Sequence, residues 1–385
     1  MENRSAKILI VTGEESGDMR AAPLVRAIGH YAQQTRFIGI AGDRCRQEGV
    51  ATFADIRDLA VIGFVEVIKN FSRIKKVFDL TVQKARSEKP DLAILVDYPG
   101  FNLRLAVELK KLGIKVVYYV SPQVWAWKAS RVKLIKKVVD RMLVLFPFEK
   151  DFYAKHNYAA DFVGHPLLDE VHADRSSAAF RSELKLDPKV TIIGLLPGSR
   201  KNEIVRLLPL MYKAAQLIRQ NNPRTQFVLL QAKTISNELL NKYSALAPEG
   251  LQITKEYYNG LNITDYCIVA SGTATLETGI MGKPMVVVYK TAWLTALIVR
   301  LVIKIRDISL VNIIAGKRIV PELIQQDANP NRLAKEVLAL LNDQNKTQAM
   351  RRELSALRTR LGNPGASQRA ARIVVEELAK LRSGL

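Results

Sequence analysis

Short apolar runs recur along the chain, each broken by glycine, proline or polar residues and followed by a stretch with helical spacing. Lys7 to Thr12 is the first such run, and Phe37 to Ala41, Leu92 to Val96, Lys115 to Val120 and Arg141 to Phe146 follow it. Runs this short and this continuously apolar fit strands buried on both faces. The stretches between them fit crossover helices: Met19 to Gln33, with Pro23 expected in its opening turn, and a helix from near Leu103 to Leu112, closed by Gly113. The alternation predicts α/β architecture with parallel sheets covered on both faces. Between Asp161 and Arg175 the pattern loosens, then restarts with strands at Thr191–Leu196, Phe227–Gln231, Tyr266–Ala270 and Met285–Tyr289, and a helix from about Glu203 to Arg219. Two doubly wound, Rossmann-like domains are therefore expected, residues 1–170 and 171–363. A terminal helix, 364–385, is free to pack back on the first.

Composition narrows the function classes. The 385 residues are 48% apolar and 25% charged, ordinary for a globular chain with two cores. The apolar run Ile8 to Val11 is too short for a signal segment, and Thr291 to Val299 is cut off by Arg300, Lys304 and Arg306. A cytoplasmic protein, or one held at a membrane surface without crossing it, is expected. Cys45 and Cys267 make no framework, and His30, His156, His165 and His172 show no metal-ligand spacing, so no metal is expected. The net charge of +21 points to nucleic acid, an anionic membrane surface or a phosphorylated substrate. No aromatic RNA-binding motif, zinc finger or basic tail is present, so nucleic acid is not expected. In Val61 to Phe78, apolar bulk adjoins Lys69, Arg73, Lys75 and Lys76, and Trp293 to Arg306 repeats the theme. Both suit an interfacial segment on anionic lipid, and Val61–Phe78 suits equally a core helix with a solvated basic face.

Candidate chemistry gathers where strands end, because ligands of open α/β sheets bind outside the carboxyl ends of the strands. Asp97 follows the strand Leu92–Val96 and precedes Pro99-Gly100, where it could act as base on a substrate hydroxyl or simply cap the next helix. Glu14 and Ser16, in the loop after the first strand, face the same edge. Asp18 there reads as a helix cap. Trp125, with Trp127, lies in a loop after another strand and suggests an apolar wall or acyl-chain site. In the second half, Ser271-Gly272-Thr273-Ala274-Thr275 at a helix start offers backbone N–H groups to a diphosphate. Glu277, one turn on, could hold a ribose diol. Gly198-Ser199-Arg200 supplies a second phosphate contact through a forked, permanent charge.

Two such domains without a Gly-x-Gly-x-x-Gly fingerprint resemble the GT-B glycosyltransferase architecture, two Rossmann-like domains facing across a cleft. The resemblance extends to motifs: Gly13-Glu14 with Ser16-Gly17-Asp18, Asp97 to Asn102, Tyr118 to Trp127, Phe146 to Glu149, Gly164 to Leu167, Leu196 to Arg200, Ser271 to Glu277 and Asn312 to Gly316. Their series, in order along nearly the whole chain, is similar to that of the lipid-A-disaccharide synthase family. The resemblance implies an inverting transfer of 2,3-diacylglucosamine from UDP-2,3-diacylglucosamine to 2,3-diacylglucosamine 1-phosphate (lipid X), forming a β-1,6-linked disaccharide phosphate and UDP. It implies no cofactor and a peripheral site on the cytoplasmic face of the inner membrane of a Gram-negative bacterium, and it is compatible with a homodimer. Asp97 then becomes the catalytic base, and Asn312 matches a family residue important for activity. Asn102 belongs with Glu14, Ser16 and Trp125 on the acceptor side. Alternatives with the same fold are a lipid-linked N-acetylglucosaminyltransferase and a UDP-sugar epimerase; outside enzymes, a nucleotide-binding or membrane-scaffold protein. The chain departs from the family where Glu15 replaces a small residue and Met19-Arg20-Ala21-Ala22 a smaller, Gly- or His-bearing stretch.

Overall fold

A computed structural model describes residues 5–59, 71–127, 129–291 and 307–383. The chain divides into two compact units, residues 1–166 with 361–385, and residues 167–360. Of the two basic–apolar segments, residues 61–70 and 293–306 lie outside the described residues.

The first unit is built on seven parallel strands: β1 (Lys7–Thr12), β2 (Arg36–Ala41), β3 (Ala51–Asp55), β4 (Leu92–Val96), β5 (Lys115–Tyr119), β6 (Arg141–Val144) and β7 (Asp161–Phe162). Their spatial order is β3-β2-β1-β4-β5-β6-β7. Ile8, Leu9, Ile10 and Val11 and all of β4 are buried, as strands covered by helices on both faces must be. The order reverses between β1 and β4, and the register sets Thr12 beside Val96. The loops beginning at Gly13 and Asp97 therefore leave the sheet side by side, at the switch point where open sheets bind ligands. The last helix, Ala366–Ser383, returns to this unit. There Arg372 stacks over the Tyr31 ring at 5.4 Å, with Ala370, Ala371 and Val374 buried.

The second unit repeats the plan with β8 (Thr191–Leu196), β9 (Thr225–Leu230), β10 (Gln252–Thr254), β11 (Tyr266–Ala270), β12 (Met285–Tyr289) and β13 (Glu322–Ile324). The order β10-β9-β8-β11-β12-β13 again reverses beside the first strand, here between β8 and β11, with Leu196 opposite Val269. The strands absent from the pattern reading, β3, β7, β10 and β13, all lie at a sheet edge. Edge strands are short and only partly covered, so their apolar signal is weak.

Three local expectations are corrected. The first helix begins at Glu15, not Met19, and Pro23 sits well inside it. The helix after β4 begins at Pro99 rather than near Leu103, with proline at the first helical position. Asp18 does cap a helix, but a remote one. Its carboxylate accepts the N–H groups of Gly42 (2.7 Å) and Arg44 (3.0 Å), at the start of the helix Asp43–Gln47.

Candidate active site

At the first switch point, Asp97 and Tyr98 both hold left-handed backbone angles, φ +49° and +47°. Such conformations cost non-glycine residues about 1–3 kcal/mol each and persist where surrounding contacts impose them. Here the contacts are visible. The Asp97 N–H still pairs with the carbonyl of Tyr119 at 3.0 Å. The buried Asn102 amide donates to the carbonyls of Val96 (3.1 Å) and Asp97 (2.8 Å), and the Tyr118 hydroxyl donates to the Asp97 carbonyl at 2.5 Å. Asn102 is thus a clamp on the turn. Asp97 is not the helix cap; that position belongs to Tyr98, which makes no side-chain cap.

The turn leaves the Asp97 carboxylate with two different oxygens. Oδ1 accepts the Tyr98 N–H at 2.8 Å, while Oδ2 faces the Arg20 guanidinium at 3.8 Å. The side chain retains 28% of its exposure, so it can meet a ligand. Burial raises its pKa above the ordinary carboxylate value; Arg20 opposes that rise and Glu14 adds to it. Glu14 occupies the cap position of the first helix, exposed and hydrogen-bonded to the Ser16 hydroxyl.

An aromatic cluster belongs to the same unit. Trp125 meets Phe148 edge-on at 5.0 Å, Phe148 stacks on Phe146 at 5.5 Å, and Phe146 lies against the buried His165 at 5.2 Å. Glu149 sits buried beside them, accepting the N–H groups of Leu145 (3.2 Å) and Phe146 (3.1 Å) at the start of the helix Pro147–Lys155. Burial pushes its pKa up to about 8, against those backbone donors and the Trp125 indole. Burial, seconded by Arg20, pulls His165 down to about 3, so its ring is neutral at physiological pH.

At the second switch point, Ser271 follows β11, and Gly272 (φ +155°, ψ −160°) takes a conformation only glycine adopts without strain. The helix Thr273–Ile280 follows; its Thr275 N–H turns back to the Gly272 carbonyl at 3.1 Å, which leaves the N–H groups of Thr273 and Ala274 without an intrahelical acceptor. The Thr275 hydroxyl turns back to the Gly272 carbonyl at 2.8 Å. Ala274, between them, presents only backbone and a methyl group. Glu277 is gripped on both oxygens: Tyr257 donates to Oε2 at 3.1 Å and Tyr258 to Oε1 at 2.9 Å. Each oxygen keeps a second acceptor direction for a ligand. After the neighbouring β8, the Ser199 and Arg200 N–H groups are taken by Glu203 Oε2, at 2.9 and 3.1 Å. Gly198 holds φ +108° directly above that carboxylate, where an added Cβ would lie 2.2 Å from Oε2. The Arg200 side chain is 73% exposed, with one 3.7 Å ion pair to Glu203, and is free to meet an anion. Strand adjacency thus groups the Gly198–Arg200 loop with Ser271–Glu277.

Asn312 belongs to the second unit and is buried. Its amide donates to the Val320 carbonyl (3.0 Å) and Glu322 (2.7 Å), and its oxygen accepts from Ile319 (2.7 Å) and Val320 (3.0 Å). That exhausts an asparagine side chain. Asn312 fastens the segment before β13 and has no donor left to offer a substrate.

Sequence reasoning missed Arg20, His165, Glu149, Tyr257 and Tyr258 as site residues. Glu149 carried one signal, a Glu three residues past the helix cap position, and the paired tyrosines open a helix. Nothing local joins Arg20 to Asp97. Among the described residues, no group of three or more His, Cys, Asp or Glu could hold a metal, and no helix is long and apolar enough to cross a membrane.

Solved structures share this architecture at low sequence identity. A putative UDP-N-acetylglucosamine 2-epimerase from Listeria monocytogenes superposes with a TM-score of 0.64 at 15% identity, over 99% of this chain and 98% of that one. The calicheamicin glycosyltransferase CalG4 gives 0.64 at 14%, over 98% and 99%. The fold, two doubly wound sheets each with a ligand edge at its switch point, is that of the GT-B glycosyltransferases and related epimerases. A family model described as lipid-A-disaccharide synthetase matches residues 8–376. Lipid-A-disaccharide synthases of Syntrophus aciditrophicus (45% identity, 95% of this chain and 96% of the relative) and Geobacter sulfurreducens (42%, 98% and 99%) are similar throughout. The chain belongs to the lipid-A-disaccharide synthetase family and is a glycosyltransferase. The N-acetylglucosaminyltransferase and epimerase alternatives are not favoured, since the sequence relatives are synthases.

Proposed function

We propose that the chain transfers 2,3-diacylglucosamine from UDP-2,3-diacylglucosamine to the 6-hydroxyl of 2,3-diacylglucosamine 1-phosphate, with Asp97 as base. As Asp97 Oδ2 takes the hydroxyl proton, that hydroxyl's oxygen bonds to the donor's anomeric carbon. The bond to the diphosphate oxygen breaks, and its electron pair leaves with UDP, inverting the centre. Charge growing on the diphosphate meets Arg200 and the Ser271–Thr275 helix start, and Glu277 holds the ribose. Glu14, Ser16 and Trp125 belong to the acceptor side, with Asn102 holding the turn beneath them.

The observation that carries this reading is Asp97 itself, a carboxylate at a switch point, with one oxygen occupied by its own turn and the other facing outward beside a guanidinium. Asp97→Asn keeps the shape and removes the base, so turnover should fall about 100-fold or more while UDP still binds. Near-normal turnover would refute the assignment.

Both substrates carry acyl chains and phosphate, which supports action at an anionic membrane surface on the cytoplasmic side, and a net charge of +21 fits that setting. In the described helix Phe71–Glu88, Arg73 pairs with Asp58 at 2.6 Å and Lys75 with Asp79 at 2.8 Å, so two of the four cations are part-neutralised. Vesicle flotation of a variant with Lys69, Arg73, Lys75 and Lys76 changed to Glu decides whether the segment docks. Sedimentation of the purified chain decides whether it forms a homodimer.

A further inference from the structure

Resting on the reading of Asp97 as base, we propose that Arg20 is the positioning residue that keeps Asp97 in its proton-accepting form. Arg20 lies on the helix Glu15–Tyr31, which follows the first switch-point loop, and its side chain is 18% exposed. Among the described residues it is the cation that pairs with Asp97, at 3.8 Å from Oδ2, and its guanidinium makes no hydrogen bond with another described residue. Oδ1 is already occupied by the Tyr98 N–H, so Arg20 faces the oxygen left for the substrate proton.

Apart from the Tyr98 N–H on Oδ1, the surroundings of Asp97 work against ionisation or leave it unaided. Glu14, from the loop after β1, places a second negative charge nearby, and burial disfavours the carboxylate. Glu149, at the start of the helix Pro147–Lys155, is buried with its pKa pushed up to about 8, so it holds its proton and supplies Asp97 with no charge of either sign. Tyr118, from β5, donates to the Asp97 carbonyl and leaves the carboxylate unserved. His165 is buried and neutral on its face of the site, so it supplies no compensating charge. Tyr98 contributes only its backbone N–H to the carboxylate; its hydroxyl is spent on the Leu59 carbonyl at 2.9 Å. Without Arg20 the base keeps a single N–H donor, in a buried setting beside the Glu14 carboxylate, and a carboxylate so placed holds its proton to higher pH. At 3.8 Å the pair is an electrostatic contact and not a closed bidentate bridge. Oδ2 stays open to a hydroxyl while the charge acts through space.

The test is the pH dependence of kcat/KM for the acceptor in the wild type, Arg20→Met, Arg20→Gln and Arg20→Lys, with thermal unfolding to establish that each is folded. In the two neutral variants the acid limb should move up by about one pH unit, with turnover recovering at alkaline pH; at a fixed pH on the limb, the rate should fall about tenfold. Arg20→Lys, which keeps the charge, should hold the limb near its wild-type position. A folded Met or Gln variant whose limb does not move overturns the proposal. It is overturned equally if activity is unchanged, if activity falls evenly at every pH, or if only the acceptor KM rises, which would make Arg20 a substrate contact. Having two neutral replacements keeps the test available if one fails to fold. Asp97→Asn separates the two levels: if it retains turnover, the reading of the base fails. If it is inactive while the Arg20 limbs stay fixed, only the role of Arg20 fails.

Discussion

A Cβ placed on Gly13 would lie 2.1 Å from Cγ of Tyr98, so the loop after β1 reaches the turn after β4 only because residue 13 has no side chain. Tyr98 has little room to retreat, since its hydroxyl is bonded to the Leu59 carbonyl and its backbone is left-handed. Gly13→Ala should therefore shift Tyr98 and, through the shared turn, Asp97. A loss of about 1–3 kcal/mol in urea unfolding is expected, with a drop in turnover. Wild-type stability and turnover together would show that the two loops yield independently.

Glu149 predicts a pH dependence of stability. Its folded pKa is raised to about 8 from 4.5, so the folded state holds a proton that the unfolded chain releases. The stability this group contributes is therefore full below pH 4.5 and is lost as pH rises towards 8. Within that window the wild type should lose stability on the order of 1.4 kcal/mol per pH unit from this group, and Glu149→Gln should lack that slope. Urea unfolding of both proteins at pH 6 and about pH 8 measures the difference. Parallel curves would mean that Glu149 is ionised throughout.

The proposed donor site predicts a split between binding and turnover. Glu277 is held by Tyr257 and Tyr258 before any ligand arrives, so the ribose contact proposed for it would be made in ground and transition state alike. Glu277→Gln should weaken UDP binding about tenfold, equivalent to roughly 1.4 kcal/mol, and change turnover less. Arg200, largely exposed, is proposed to meet charge that grows as the glycosidic bond breaks, so Arg200→Ala should lower turnover more than affinity. Titration calorimetry with UDP beside steady-state rates reads both. Unchanged UDP affinity in both variants would move the donor site elsewhere.

The sequence by itself determined the class of fold and the kind of chemistry. Strands buried on both faces announce themselves as apolar runs. Pro99, Gly272 and Gly198 mark where the chain must turn, and Asp97, Arg200 and Ser271–Glu277 sit at those ends whatever the strand order. Tertiary structure decided which of these ends are neighbours. The β1–β4 and β8–β11 pairings are long-range, and only they bring Gly13 against Tyr98 or the Gly198–Arg200 loop beside Ser271. Helix position then decided the partners. Asp18, read as a cap for its own helix, caps another, and Arg20, unmarked by any local pattern, faces Asp97. Asn312, matched to an activity motif, spends its whole amide on the loop before β13 and on Glu322, the first residue of that strand. Periodicity and turn chemistry act over a few neighbouring residues and can be read along the chain. Charge pairing and hydrogen-bond satisfaction act through space, between residues that only the packed sheets bring together.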